Sequence, residues 1–328
     1  MASPVRLGLI GVGRWGKVYI KNLLTLSDCY RISHLCTSNP ANAALVSHPV
    51  TVVSSWQELL TSDCDAVIIA TPPATHAEIL EGCVGAGKPC LIEKPLCLDV
   101  PTAERLHRLV QQAGVPVLVD QTHLFHPAYR ALKRMIEERR EPVRVVISEG
   151  MAFGPFRDHT AALWDWGPHD VSLCLDLLGE MPQRLDALAG PVDPNGSPEQ
   201  ISLRLDFASG VCAWMQIGRL APQKRRLLHA LTDTRAYWLD ELATEPLTTA
   251  PIEFSARYRH GIPGGLTRTP IALDRTLSPM TNLLTAFHQG LSGGNHHDFG
   301  TALARDVVQV LSACEQLLKT RAPIALTS

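Results

Sequence analysis

Two stretches far apart in the chain carry residue types that could handle a proton and a developing negative charge. Glu93-Lys94-Pro95 closes an apolar run, and Leu163-Trp164-Asp165-Trp166-Gly167-Pro168-His169-Asp170-Val171 sets an aspartate and a histidine four residues apart. An imidazole titrates near neutrality and suits general-base work on a hydroxyl. If a helical turn has begun, Asp165 and His169 share one face, and the carboxylate could orient the imidazole or contact the hydroxyl. A lysine ammonium at a strand end could stabilise an alkoxide as it forms. Plainer roles are open to all three: a turn at Lys94-Pro95, a helix N-cap at Asp165, a satisfied buried histidine at 169. The sequence leaves open whether Lys94 or His169 would accept the proton.

The start of the chain reads as a place to hold a dinucleotide. The apolar run Val5–Ile10 feeds into Gly11-Val12-Gly13-Arg14-Trp15-Gly16, and an amphipathic helix pattern follows through Val18, Ile20, Leu23, Leu24 and Leu26. Gly11 permits a tight turn, Gly13 lets the backbone approach a pyrophosphate, and Gly16 lets helix and strand pack closely. The helix N-terminus then faces the phosphates. Ala70-Thr71-Pro72-Pro73-Ala74-Thr75-His76 ends the fourth strand candidate, where open α/β sheets place ligands.

These residues need a frame, and the pattern supplies an α/β one. Strand candidates at Val5–Ile10, Arg31–Cys36, Val50–Val53, Ala66–Ala70, Cys90–Glu93 and Val115–Asp120 alternate with helices, among them Trp56–Leu60, His76–Ala86 and Thr102–Ala113. That alternation predicts a doubly wound parallel sheet over residues 1–122. From 123 to 328 an α+β domain with a large, mostly antiparallel sheet is expected, its C-terminal helices packing back near the first domain. Its helices are expected at Pro127–Glu141 and His169–Leu178, with two more closing the chain at Pro279–Leu291 and Phe299–Lys319. Strands are expected at Pro142–Met151, Arg184–Ala189, Gln200–Phe207, Val211–Ile217, Arg226–Leu231 and Arg235–Leu239. The Pro-, Thr- and Gly-rich region from Glu241 to Pro279 resists assignment.

Bulk properties narrow the partners. The 328 residues carry a formal net charge of −2 with no block of like charge, which argues against nucleic-acid or membrane-surface binding. No apolar run reaches bilayer length and no signal-peptide layout opens the chain. Nine cysteines without C-x-x-C pairing read as reduced thiols, so a cytoplasmic protein is expected. His296-His297-Asp298 reads as a loop and helix start rather than a metal site, so no metal is expected.

The glycine loop, the Thr71–His76 segment, Glu93-Lys94-Pro95 and the D-x-x-x-H about 70 residues downstream, taken in order, resemble the glucose–fructose oxidoreductase and inositol dehydrogenase (Gfo/Idh/MocA) family over essentially the whole chain. The resemblance implies a Rossmann domain followed by a substrate-binding and oligomerisation domain. It also implies an NAD(P)-dependent oxidoreductase with Lys94, Asp165 and His169 as its catalytic group. Cofactor contacts would come from Gly11, Gly13, Arg14, Trp15, Gly16, Thr37, Ser38, Thr71, Pro72, His76, Glu93 and Lys94. Substrate contacts would come from Lys94, Gln121, His123, Arg157, Asp165 and His169. The substrate expected is a sugar, a sugar derivative (nucleotide-linked ones included) or a cyclitol, and assembly is expected as a homodimer or homotetramer.

The chain departs from the family pattern in places. Thr122 and His123 stand where many relatives have arginine or asparagine, and Ser172 stands where many have aspartate. Cys36-Thr37-Ser38-Asn39 offers no acid to the adenosine ribose, which leans the cofactor towards NADP or dual use. Arg157 and Lys224, in Pro222-Gln223-Lys224-Arg225-Arg226, are candidates for a substrate anion and equally for solvated surface. Two other functions fit the same residues: reduction of a non-sugar carbonyl or imine, and a non-catalytic NAD(P)-binding regulator.

Overall fold

The computed structural model describes residues 3–157, 160–252, 265–274, 276–293 and 300–320. The His296–Asp298 cluster lies outside them. The chain divides into two compact units, Met1–Thr122 with Leu277–Val308, and His123–Thr276 with Gln309–Ser328.

In the first unit, β1 (Val5–Ile10), β2 (Tyr30–Cys36), β3 (Thr51–Val53), β4 (Ala66–Ile69), β5 (Cys90–Glu93) and β6 (Val117–Asp120) form one parallel sheet in the order β3-β2-β1-β4-β5-β6. Every residue of β4, β5 and β6 is buried, as a parallel sheet covered on both faces requires. The covering helices are α1 (Arg14–Leu24), α2 (Trp56–Leu60), α3 (His76–Gly85) and α4 (Val100–Ala113). α4 shows how the sequence sets their ends. The Asp99 carboxylate accepts from Thr102 N–H, Pro101 fits the first turn, and Gly114 closes the helix at φ 64°. Strand order reverses between β1 and β4, so the crevice beyond their C-terminal ends is where such a sheet receives ligands.

In the second unit, α5 (Pro127–Arg139), β7 (Val143–Phe153), α6 (Ala162–Leu178) and the strands β8 (Pro182–Ala189), β9 (Gln200–Phe207), β10 (Cys212–Gly218), β11 (Leu220–Thr232), β12 (Arg235–Asp240), β13 (Leu247–Pro251) and β14 (Thr269–Pro270) follow in chain order. The eight strands order as β14-β13-β12-β11-β7-β10-β9-β8, antiparallel except for β7 beside β10. α6 packs across β7 and β10 and is buried from Ala162 to Leu175. On the opposite face, the registers align Trp214, Ile147, His229 and Trp238 in one row.

α7 (Pro279–Leu291) and α8 (Ala302–Thr320) complete the chain. Leu277–Val308 groups with the first unit. The Tyr30 hydroxyl donates to the Leu284 carbonyl at 2.6 Å, and Gly300 N–H donates to the Val117 carbonyl at 2.7 Å.

Other differences have local causes. α6 starts at Ala162 rather than His169, because Ala162, Leu163 and Trp164 are buried and Pro168 is carried inside the helix. β11 starts at Leu220, so the Pro222–Arg226 run belongs to a strand whose register breaks between Leu220 and Arg225. The unassigned region contains β13 and β14. Among the described residues no helix is long and apolar enough to cross a membrane.

Candidate functional site

A cleft of about 730 Å³ opens at the strand ends of the first unit. Gly11, at φ 91°, lies so close to β4 that a Cβ would come within 2.7 Å of the Ala70 carbonyl oxygen. A Cβ on Gly16 would run into the Gly11 carbonyl. On Gly13 it would meet nothing within 4 Å. Two glycines thus permit the turn and the helix packing, while the middle one leaves the cleft clear. Gly13 also precedes α1 without a side-chain cap, so the first-turn N–H groups remain available to an anion. This fits the pyrophosphate of a dinucleotide.

Gly11, Gly13, Thr37, Ser38, Thr71 and Pro72 line the cleft, together with Lys17, which sequence reasoning passed over. Arg14, Trp15, Gly16, His76, Glu93 and Lys94 do not line it. Thr37 Oγ1 accepts from Asn39 N–H and from Asn42 Nδ2, which shapes the loop after β2. His76 is fully buried, with Nδ1 2.8 Å from the Pro95 carbonyl and Nε2 2.9 Å from the Thr71 carbonyl. Its burial pushes the imidazole pKa down. The ring therefore ties the cleft loop to the turn that carries Lys94.

Beneath that turn, Glu93 pairs with Asp120 across β5 and β6. The Tyr19 and Thr122 hydroxyls both donate to the Asp120 carboxylate. Burial, and then the charge of Asp120, push the Glu93 carboxyl well above its usual range. Lys94 and Gln121 are both buried at these strand ends.

In the second unit, α6 carries Asp165 in its first turn and His169 one turn on. Ala161 is the N-cap, so Asp165 does not cap the helix. Asp165 Oδ2 lies 3.2 Å from Arg157 Nε and 3.5 Å from Arg219 Nη2. Arg219 is fully buried, lies 3.3 Å from Glu199 Oε1, and donates to the Thr160 carbonyl. Arg157, a candidate for a substrate anion or for solvated surface, is one-third exposed and lies against the Asp165 carboxylate. Lys224 is exposed on β11.

The His169 ring stands edge-on to His123, with centroids 4.5 Å apart and an interplanar angle of 72°. His123 Nδ1 lies 2.7 Å and 2.9 Å from the two carboxylate oxygens of Glu241. The next residue on α6, Asp170, is buried, accepts from the Ser148 hydroxyl and lies 3.8 Å from Arg226 Nη1. Burial raises its pKa against the opposing pull of Arg226. Arg226 also sits 4.3 Å over the Trp166 ring. Ser172 donates its hydroxyl to the His169 carbonyl at 2.9 Å, so this position braces the helix.

Glu199, Arg219, Ser148 and Glu241 were not legible as site residues, because lone charged or polar residues on separate strands carry no spacing signal, and Arg226 stood in the Pro222–Arg226 run without a role of its own. Among the described residues no group of three His, Cys, Asp or Glu side chains could hold a metal ion.

Residues 5–121 match the description of an oxidoreductase family with an NAD-binding Rossmann fold, and residues 148–236 match the GFO/IDH/MocA C-terminal domain. Inositol 2-dehydrogenase of Rhizobium meliloti is 29% identical over 232 residues, 66% of this chain and 69% of that enzyme. UDP-N-acetylglucosamine 3-dehydrogenase of Acidithiobacillus ferrooxidans is 25% identical over 264 residues, 79% of this chain and 80% of that enzyme. A crystal structure from Magnetospirillum magnetotacticum MS-1, provisionally assigned as an oxidoreductase, superposes with a TM-score of 0.84 at 35% identity, covering 95% of this chain and 100% of that one. The chain therefore belongs to the Gfo/Idh/MocA family of oxidoreductases, with an NAD-binding Rossmann fold at its N-terminus.

Proposed function

We propose that the chain is an NAD(P)-dependent dehydrogenase or reductase. It would transfer a hydride between nicotinamide and a secondary alcohol or ketone of a sugar, a sugar derivative or a cyclitol. The observation that carries this reading is the first-unit cleft, where Gly13 leaves open space at the head of an uncapped helix. The names of the relatives supply the substrate class, since they act on cyclitols and a nucleotide-linked sugar.

Bound nicotinamide supplies the hydride acceptor, and the side chains of this chain handle the proton and the charge. His169 takes the hydroxyl proton as general base. Asp165, held by two guanidiniums, orients the substrate hydroxyl. Lys94 stabilises the alkoxide that forms as hydride leaves. Gln121 and His123 bind further hydroxyls.

The end of β2 and the loop that follows it in the cleft, Cys36-Thr37-Ser38-Asn39, have no carboxylate to repel a 2′-phosphate, the cleft's carboxylate being Glu78 on α3. Lys17 is the cation among the lining residues. Together these favour NADP or dual use. Copies of the chain are proposed to associate as a dimer or tetramer through the outer face of the larger sheet.

The test is reduced-nicotinamide absorbance with NAD and NADP against free sugars, sugar phosphates, nucleotide sugars and cyclitols. Turnover should fall by about 10²–10⁴-fold in both Lys94→Ala and His169→Ala. Turnover confined to non-sugar ketones or imines would replace the substrate class. Cofactor binding with no turnover on any compound would replace the enzyme with a binding protein.

A further inference from the structure

His123 and Glu241 lie 118 residues apart in sequence and meet beside His169 in the second unit. The Glu241 side chain is 12% exposed and that of His123 is 19% exposed. Burial works to raise the Glu241 carboxyl, yet the His123 ring, with His126 and Arg226, more than offsets it and leaves the carboxyl below its usual range. The acceptor facing His123 is therefore a carboxylate, and it engages Nδ1 with both oxygens. An imidazole nitrogen that meets a carboxylate carries the proton, which fixes the tautomer and aims the other nitrogen. That other nitrogen, Nε2, has no hydrogen-bond partner among the described residues, and the side chain is not fully covered.

We propose that Glu241 and His123 form a carboxylate–imidazole dyad that reads a second substrate hydroxyl, the one beside the hydroxyl served by His169. Glu241 is the positioning residue and His123 Nε2 makes the contact. The two rings, 4.5 Å between centroids, place two imidazoles within the span of two oxygens on adjacent carbons. The hydroxyl-reading part rests on the proposed function. The dyad itself rests only on the geometry within this unit. An isolated secondary alcohol would leave the His123 contact unmade, so the dyad selects for a vicinal diol.

The experiment has one arm that needs no substrate. Two-bond proton–nitrogen spectra of the full chain, labelled with ¹⁵N-histidine, report which ring nitrogens carry protons. The His123 signals are assigned by their loss in His123→Gln. His123 is expected to hold a proton on Nδ1, and Glu241→Leu is expected to abolish that signature and shift the His169 signals. Glu241→Ala, which likewise removes the acceptor, serves the same purpose if the leucine variant does not fold. A neutral His123 protonated on Nε2, or spectra unchanged by either substitution, overturns the dyad.

The second arm compares each polyol turned over with its analogue lacking the neighbouring hydroxyl. Wild type should prefer the polyol by about tenfold or more in kcat/KM, and His123→Leu should erase that preference, chiefly through KM. A preference that survives His123→Leu overturns the hydroxyl role. If no polyol is turned over, the substrate reading fails and the hydroxyl role falls with it, while the dyad still stands or falls on the spectra.

Discussion

Arg219, with no exposed surface, sits between two buried carboxylates, 3.5 Å from Asp165 Oδ2 and 3.3 Å from Glu199 Oε1. It follows Gly218 at the end of β10 and reaches the first turn of α6, so the sheet itself holds one proposed catalytic residue in place. Breaking a buried pair is costly because the remaining charge is stranded without water. Arg219→Met takes the guanidinium away from Glu199 and leaves Asp165 with Arg157 of its two arginines. It should lower unfolding stability by roughly 3–5 kcal/mol, read from denaturant midpoints at constant slope. Arg219→Lys, which keeps the charge but loses the planar fork, should fall between the two. A methionine variant as stable as wild type would mean that water or Arg157 already neutralises Asp165.

That arrangement also marks where sequence reading stops. The glycine loop was legible because strand, turn and helix are contiguous and each glycine has a local steric reason. The first sheet was legible for the same reason, since buried apolar runs alternate with capped helices. Asp165 and His169 were legible as a pair through their spacing, but the start of α6 was not. Pro168 reads as a boundary in sequence, whereas burial of Ala162, Leu163 and Trp164 carries the helix through it. Arg219, Glu199 and Glu241 reach the site from 54, 20 and 118 residues away from their partners. Sheet registry brings them there, and no periodicity encodes it. His76 was expected in the cofactor cleft for its place after Thr71-Pro72. Its ring instead turns inward to the Thr71 and Pro95 carbonyls.

The glycine geometry separates folding from cofactor binding. A methyl group at position 13 touches no protein atom within 4 Å but projects into the cleft. Gly13→Ala should therefore keep its melting temperature close to that of wild type while weakening NADH and NADPH binding by at least tenfold, measured by nicotinamide fluorescence titration. Gly16→Ala meets the Gly11 carbonyl and should lower stability as well. Undiminished affinity in Gly13→Ala would show that the pyrophosphate does not approach this turn.

Glu93 ties stability to pH. Burial and the facing Asp120 raise its folded-state pKa above the unfolded value of about 4.3. A carboxyl raised in this way makes the folded state bind the extra proton, so its burden on stability is absent at low pH. The burden grows as pH climbs from the unfolded pKa through the folded one. Glu93→Gln removes it. The melting temperature of the variant relative to wild type should rise as pH climbs above about 4 and level off above the folded pKa. A difference that does not change with pH would show that Glu93 ionises as readily folded as unfolded.

The outer face of the larger sheet offers the last test. Trp214 is 48% exposed and Ile147 37%, and they neighbour each other across β10 and β7 with His229 and Trp238 continuing the row. Arg204 stacks 5.3 Å from the Trp214 ring and Arg268 lies 4.4 Å from the Trp238 ring, so the apolar row is bordered by cations at both ends. A contiguous apolar strip on a rigid sheet is costly to leave in water and suits burial against a second copy. If copies pair there, Trp214→Glu puts a charge into the buried strip and should shift the sedimentation coefficient from the assembled species towards the monomer. The fold should stay intact by circular dichroism, because this side chain contributes nothing to the covered face of the sheet. An unchanged sedimentation profile in both Trp214→Glu and Ile147→Lys would place any assembly on a different surface.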